Sequence, residues 1–191
     1  MVGEEGHPFP AWLSFHLNNP IRRHFHSPEK VINAIGLKET DTVLDFGCGP
    51  GFYTVPFAKT AREVVAVDIQ PKMLEKASKY AEKNGVNVKT IKSNGESISL
   101  PDASFDVIFL SFVYHEISDK AKVLTELSRL LKPQGRIVVR ERTEPDSIIL
   151  GPPSVDRKEV FRGLKAAGLT MLATTADPSD KRITLMTATK K

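Results

Sequence analysis

Two short stretches hold the residues whose types and spacing can do chemistry. The first is Asp45-Phe46-Gly47-Cys48-Gly49-Pro50-Gly51, an acid two residues ahead of three glycines at alternate positions. Residues without a Cβ let a chain turn sharply and lay bare peptide groups against a ligand. The second is Ser111-Phe112-Val113-Tyr114-His115-Glu116-Ile117, where Tyr114, His115 and Glu116 form the one cluster with acid/base potential. A histidine changes charge near neutrality and can take or return a proton. His115 and Glu116 alone are too few ligands for a metal ion, and no metal site is expected.

The glycine stretch suits two ligand classes unequally. Dinucleotide-binding loops read G-x-G-x-x-G and aim a helix N-terminus at a pyrophosphate. Here the spacing is G-x-G-x-G, with Asp45 beside it. A carboxylate repels a pyrophosphate and attracts a cation. S-adenosylmethionine (SAM) carries an ammonium and a sulfonium and no phosphate, so Asp45 tilts the reading toward it. The bland alternative is a tight turn in which Asp45 caps a helix. Asp68 stands 23 positions after Asp45, at the end of the apolar run Val64-Val65-Ala66-Val67. A carboxylate at that strand end can accept from both hydroxyls of a ribose. It can equally cap the helix that starts at Pro71.

The elements that must position these residues follow from pattern. Ser27-Pro28-Glu29 reads as an N-cap, a proline at the first helical position and a first-turn acid, opening a helix of about 28–36 that ends at Gly36. Strands are expected at about 41–46, 64–68, 86–91, 106–110 and 135–140. Between them lie a short helix after the glycines with Pro56 in its first turn, a helix over 71–83 closed by Asn84-Gly85, and a helix from Ser118-Asp119 to Pro133. Residues 154–167 read as a last helix, and 169–175 and 183–189 as two strands joined by Asp177-Pro178-Ser179-Asp180. Strands alternating with helices make an α/β fold with a parallel sheet. In such a sheet the carboxyl ends of the strands face the ligand crevice, and both stretches fall there.

With three further stretches the chain resembles the class I SAM-dependent methyltransferases, and within them the methyltransferase-11 type found in ubiquinone and menaquinone biosynthesis. These are Val64-Val65-Ala66-Val67-Asp68, then Ser93-Asn94-Gly95-Glu96 with Leu100-Pro101-Asp102-Ala103-Ser104-Phe105-Asp106, and Leu130-Leu131-Lys132-Pro133-Gln134-Gly135-Arg136. The resemblance covers about residues 28–143. It implies a Rossmann-like, doubly wound, seven-stranded sheet with helices on both faces, its last strand antiparallel and inserted next to its predecessor. It also implies a SAM site formed by Asp45, Gly47, Cys48, Gly49, Gly51, Tyr53, Asp68, Ile69, Met73, Asn94, Gly95, Glu96, Ser111 and Phe112. Asn94 stands where the family usually has an acid for the adenine. An amide can accept from the adenine amino group and donate to a ring nitrogen. His115 and Tyr114 are the expected catalytic residues, because that loop lies near the methyl acceptor in the family.

Composition sets outer bounds. The chain has 191 residues, enough for one domain with a real core. The net charge of +4 is spread among acids and gives no nucleic-acid stripe. Cys48 is the single cysteine, which excludes an intramolecular disulfide and fits a cytoplasmic setting. No apolar run is long enough to span a membrane. Residues 1–27 are rich in prolines and aromatics and are expected to act as a lid on the crevice, ahead of a methyltransferase domain over 28–191. The expected activity is methyl transfer from SAM to a small molecule, by a monomer or homodimer. A methyltransferase of proteins or nucleic acids and a SAM-binding regulator are the rival readings.

Overall fold

The computed structural model describes residues 27–144 and 153–190, and structural statements below concern these. The expected lid lies outside them, save for Ser27. Seven strands form one sheet in the order β3-β2-β1-β4-β5-β7-β6. They are β1 (Thr42–Phe46), β2 (Glu63–Asp68), β3 (Lys89–Lys92), β4 (Phe105–Ser111), β5 (Leu131–Arg142), β6 (Leu169–Ala176) and β7 (Ile183–Lys190). Strands β1 to β5 pair in parallel. Strand β7 runs antiparallel between β5 and β6. This is the expected doubly wound sheet.

Five helices cover the two faces. Helices α1 (Pro28–Ala34), α2 (Thr54–Thr60) and α3 (Pro71–Lys83) follow Ser27, β1 and β2. Helices α4 (Lys120–Leu130) and α5 (Arg157–Ala166) follow β4 and β5. One core joins Val43, Val64, Val107, Phe109 and Val138 to α1 and α2. The other joins Leu44, Val65, Ile108, Leu110, Ile137 and Val139 to α4 and α5. Alternate residues of the central strands thus serve opposite layers, which is why β1, β2 and β4 are largely apolar runs. In β4 the four residues Val107 to Leu110 are all fully buried. Each such side chain contributes about 1.5–3 kcal/mol relative to exposure.

Several boundaries differ from expectation, among them the first helix, which stops at Ala34, and β5, which runs Leu131–Arg142. Strand β3 begins at Lys89 instead of Val86, because Gly85 takes φ +68° and the chain needs three residues to return to the sheet. Helix α4 starts at Lys120, capped by Asp119, whose carboxylate accepts from the Lys122 N–H at 3.0 Å. It stops at Leu130, and Pro133 falls inside β5. Leu131 pairs with Phe105, and the register shifts before Val107 meets Arg136. Pro133 therefore sits in an irregular strand entry, where a missing N–H is tolerated. The last helix is shorter than 154–167 because Asp156 caps it, accepting from the Lys158 N–H at 2.9 Å.

Candidate active site

The glycine loop is tied down by backbone. The N–H groups of Gly47 and Cys48 both donate to the Val67 carbonyl, at 2.8 and 3.0 Å, so the loop lies across the end of β2. Gly47 has φ +70°, and a Cβ there would stand 2.2 Å from a Val113 methyl. This glycine lets the loop after β4 close onto the loop after β1. Gly49, at φ +53°, is different: a Cβ there would meet nothing within 4 Å. The Cα of Gly49 faces open space.

The two expected carboxylates stand together at this edge. Asp68 accepts from the Gly49 N–H at 2.9 Å through one oxygen and from the Gln70 N–H at 2.8 Å through the other. It thus braces the glycine loop and caps the entry to α3 at once. A carboxylate offers about four acceptor positions, and backbone N–H groups of Gly49, Ile69 and Gln70 take three, which leaves at least one for a ribose hydroxyl. Asp45, 3% exposed, accepts from the Thr54 hydroxyl at 2.5 Å. Burial pushes its carboxyl up to about 7, the Thr54 bond pulls against this, and the nearby Asp68 adds to it. Burial raises Asp68 too, against the three backbone N–H groups it accepts from. The Cys48 thiol feels both, held well above its usual range by burial and by the two acids, and its Sγ is 3.4 Å from the Gly49 carbonyl. A thiol kept protonated is a poor nucleophile.

The remaining expected cofactor residues divide by exposure. Ile69 is half exposed beside Asp68, a free apolar surface at the strand end. Asn94 and Glu96 are exposed, and the Asn94 side-chain oxygen accepts from the Glu96 N–H at 3.1 Å. Met73, Gly95 and Gly51 face inward. Met73 is 2% exposed, Gly95 lies against the Phe46 ring, and Gly51 lies against Ala77 of α3. Their placement is that of residues that shape the loops from beneath. Tyr53 is buried against Phe52, Phe57 and Phe109.

Phe112 carries φ +56°, and its N–H donates to the Arg140 carbonyl at 2.9 Å. The Arg140 guanidinium is 4.7 Å from the Phe112 ring centre and 5.5 Å from that of Tyr53. Arg140 is fully buried, pairs with Asp177 at 2.7 Å and donates to the Ser111 hydroxyl at 3.2 Å. Asp177 also accepts from the N–H groups of Ser179 and Asp180, so the β6–β7 turn is anchored to the strand ends.

The structure parts the expected acid/base pair. Residues Tyr114–Glu116 form a single 3-10 turn. The Tyr114 side chain is 1% exposed and turns to the α4–α5 layer, with the Lys120 ammonium 5.5 Å above its ring and its hydroxyl near Gly163. Burial and Glu159 push the phenol up to about 12. It lines a cavity of about 390 Å³ with Lys120, Thr125, Glu159, Arg162 and Gly163. His115 instead meets Glu141, its Nδ1 3.1 Å from Oε2. Glu141 is fully buried, and its Oε1 accepts from the Tyr114 N–H at 2.8 Å. Burial pulls the imidazole down, but the hydrogen bond and charge of Glu141 outweigh it and leave His115 above its usual range. Sequence motifs do not single out Arg140, Glu141 or Asp177. For the first two the available signal is three consecutive charged residues, Arg140-Glu141-Arg142, directly after the apolar run Ile137-Val138-Val139.

A sheet in this order, with an antiparallel strand inserted last and a glycine loop between two strand-end carboxylates, is the Rossmann-like fold of class I methyltransferases. The sequence profile described as "Methyltransferase domain" matches residues 44–139, and the chain belongs to that family. It is 34% identical over 151 residues to a ubiquinone/menaquinone biosynthesis C-methyltransferase of Marinomonas sp., covering 76% of this chain and 59% of the relative. It is 36% identical over 109 residues to the uncharacterized methyltransferase YcgJ of Bacillus subtilis, covering 56% of this chain and 43% of that one. The chain thus spans about half the length of these curated relatives. A SAM-dependent methyltransferase from Aquifex aeolicus superposes with a TM-score of 0.85 at 33% identity, covering 94% of this chain and 98% of that chain. The family is that of methyltransferase domains, and the Aquifex protein is described as SAM-dependent. The chemistry of this edge is compatible with such a donor: Gly49 leaves room for close approach, and carboxylates can accept from a ribose and attract a cation. No helix of the described residues is long and apolar enough to cross a membrane.

Proposed function

We propose that this enzyme methylates a small molecule, bound ahead of the strand ends of β4 and β5. The observation that carries this is the pairing of the loops after β1 and β4 through Gly47 and Val113. It sets the donor loop, with Asp45 and Asp68, directly beside the turn that bears His115. The Marinomonas relative is named for C-methylation in ubiquinone/menaquinone biosynthesis, which supports a small acceptor here as well. In this reading Asp68 accepts from the ribose hydroxyls, Ile69 and Asn94 flank the adenine, and Asp45 and the glycine peptides favour the cationic end of the donor.

Methyl transfer is an in-line displacement at carbon, and the sulfonium supplies the activation when bound. The protein must hold the reacting atoms roughly 3–3.5 Å apart and in line. It must also keep water from the reacting centre. Calorimetry with SAM and with NAD, followed by labelled methyl transfer into a small-molecule extract and into total macromolecules, tests the proposal. Uptake of SAM with label in the small-molecule fraction is expected. Label confined to macromolecules refutes the acceptor class, and uptake of SAM with no transfer to either would favour a regulator.

A further inference from the structure

His115 and Glu141 lie at the ends of different strands and meet across 26 residues of sequence. Both carboxylate oxygens of Glu141 are engaged, Oε1 by the Tyr114 N–H and Oε2 by His115 Nδ1. A buried carboxylate on Nδ1 fixes the imidazole tautomer, with the proton on Nδ1 and the lone pair on Nε2. Nε2 lies 3.9 Å from Glu116, whose side chain is partly exposed, and His115's side-chain hydrogen bond among the described residues is the one at Nδ1. The turn that carries His115 is pressed against the donor loop by Val113. The charged groups around the ring are Glu141 from β5, Glu116 from the same turn and Lys120 from α4.

We infer that His115 Nε2 is the base that takes a proton from the methyl acceptor, and that Glu141 is the residue that positions it; this rests on the methyltransferase reading above. The acceptor is then one that brings a proton on its reacting atom, or on an atom conjugated to it, such as a hydroxyl, an N–H or an enol. A thioether or a tertiary amine has no such proton and leaves the pair idle. In the step, the acceptor's X–H proton passes to Nε2 and its electron pair forms the X–C bond to the methyl carbon. The C–S bond breaks, and its pair goes to sulfur. The imidazolium formed is balanced by Glu141 and returns the proton to water.

The full chain labelled with ¹⁵N-histidine tests the pair without any acceptor. The His115 resonances, assigned by loss in H115N, are followed across pH in the wild type and in E141Q. At high pH the proton should reside on Nδ1, and E141Q should lower the His115 midpoint by about one pH unit or more. A proton on Nε2, or an unmoved midpoint, overturns the pairing. Methyl transfer from labelled SAM into a small-molecule extract tests the role. The acid limb of the rate profile should follow the resonance midpoint and shift with it in E141Q, while the plateau falls. H115N should lose about a hundredfold in rate, with SAM affinity within twofold of wild type. A limb that stays put in E141Q, or a loss of SAM affinity in H115N, overturns the base assignment. Failure of every variant and the wild type to take up SAM would instead strike the methyltransferase reading, which the resonance titration does not depend on.

Discussion

If Asp45 serves the cationic end of the donor, as proposed above, SAM binding should depend on pH in a direction set by its burial. Burial raises the Asp45 carboxyl from 3.8 to about 7 in the protein alone. A cationic ligand favours the ionised form, so binding below pH 7 must expel a proton. With a midpoint of about 7, roughly one tenth of Asp45 is ionised at pH 6 and roughly nine tenths at pH 8. The apparent SAM affinity should therefore rise about tenfold between pH 6 and pH 8. Calorimetry in buffers of different ionisation heat, at pH 6, 7 and 8, reads both the affinity and the proton released. The same shift has a folding consequence of opposite sense. A folded value above the unfolded one means stability that is present below about pH 4 and lost as pH rises to about 7. Asp45→Asn should flatten both profiles and bind SAM more weakly than the wild type at pH 8. A SAM affinity constant over this range, with no proton release, would refute the assignment of Asp45 to the cationic end of the donor.

Other perturbations separate shape from charge. Gly47→Ala forces φ +70° on a residue with a Cβ and drives it to 2.2 Å from Val113; it should cost roughly 2–4 kcal/mol in urea unfolding, and Val113→Ala in the same chain should recover part of that. Full recovery, or none, would contradict a cost made of both strain and contact. Gly49→Ala meets no neighbour, so its unfolding free energy should fall by only about 1–2 kcal/mol, the cost of a left-handed alanine, while SAM affinity drops at least tenfold; unchanged affinity would remove Gly49 from the site. Asp177→Ala leaves the fully buried Arg140 without its carboxylate and should cost about 3–5 kcal/mol by denaturation, whereas a near-neutral result would show that the pair adds nothing to the fold.

The architecture is legible in the sequence because the central strands β1, β2 and β4 are largely apolar runs and the turns carry their own signals. Asp45 and Asp68 can be placed at one edge because both close such runs, and the structure sets them beside each other. Finer points are hidden in long-range geometry. Which neighbours Tyr114 and His115 meet is decided by a 3-10 turn that no residue pattern announces. Glu141 and Asp177 find their partners 26 and 37 residues away in sequence. No local pattern reports such pairings, although a charge at the end of a buried strand raises the question of what it meets. The early end of α4 is equally hidden, since it is decided by Leu131 pairing with Phe105 rather than by Pro133.

If the donor lies on the glycine loop between the two carboxylates, a crystal structure of the complex with S-adenosylhomocysteine will show it. The ribose hydroxyls should fall within hydrogen-bond distance of Asp68, the amino-acid end over the Gly47–Gly49 peptides, and the sulfur should face the turn that bears His115. Ligand density on the α4–α5 side, or a ribose out of reach of Asp68, would contradict this placement.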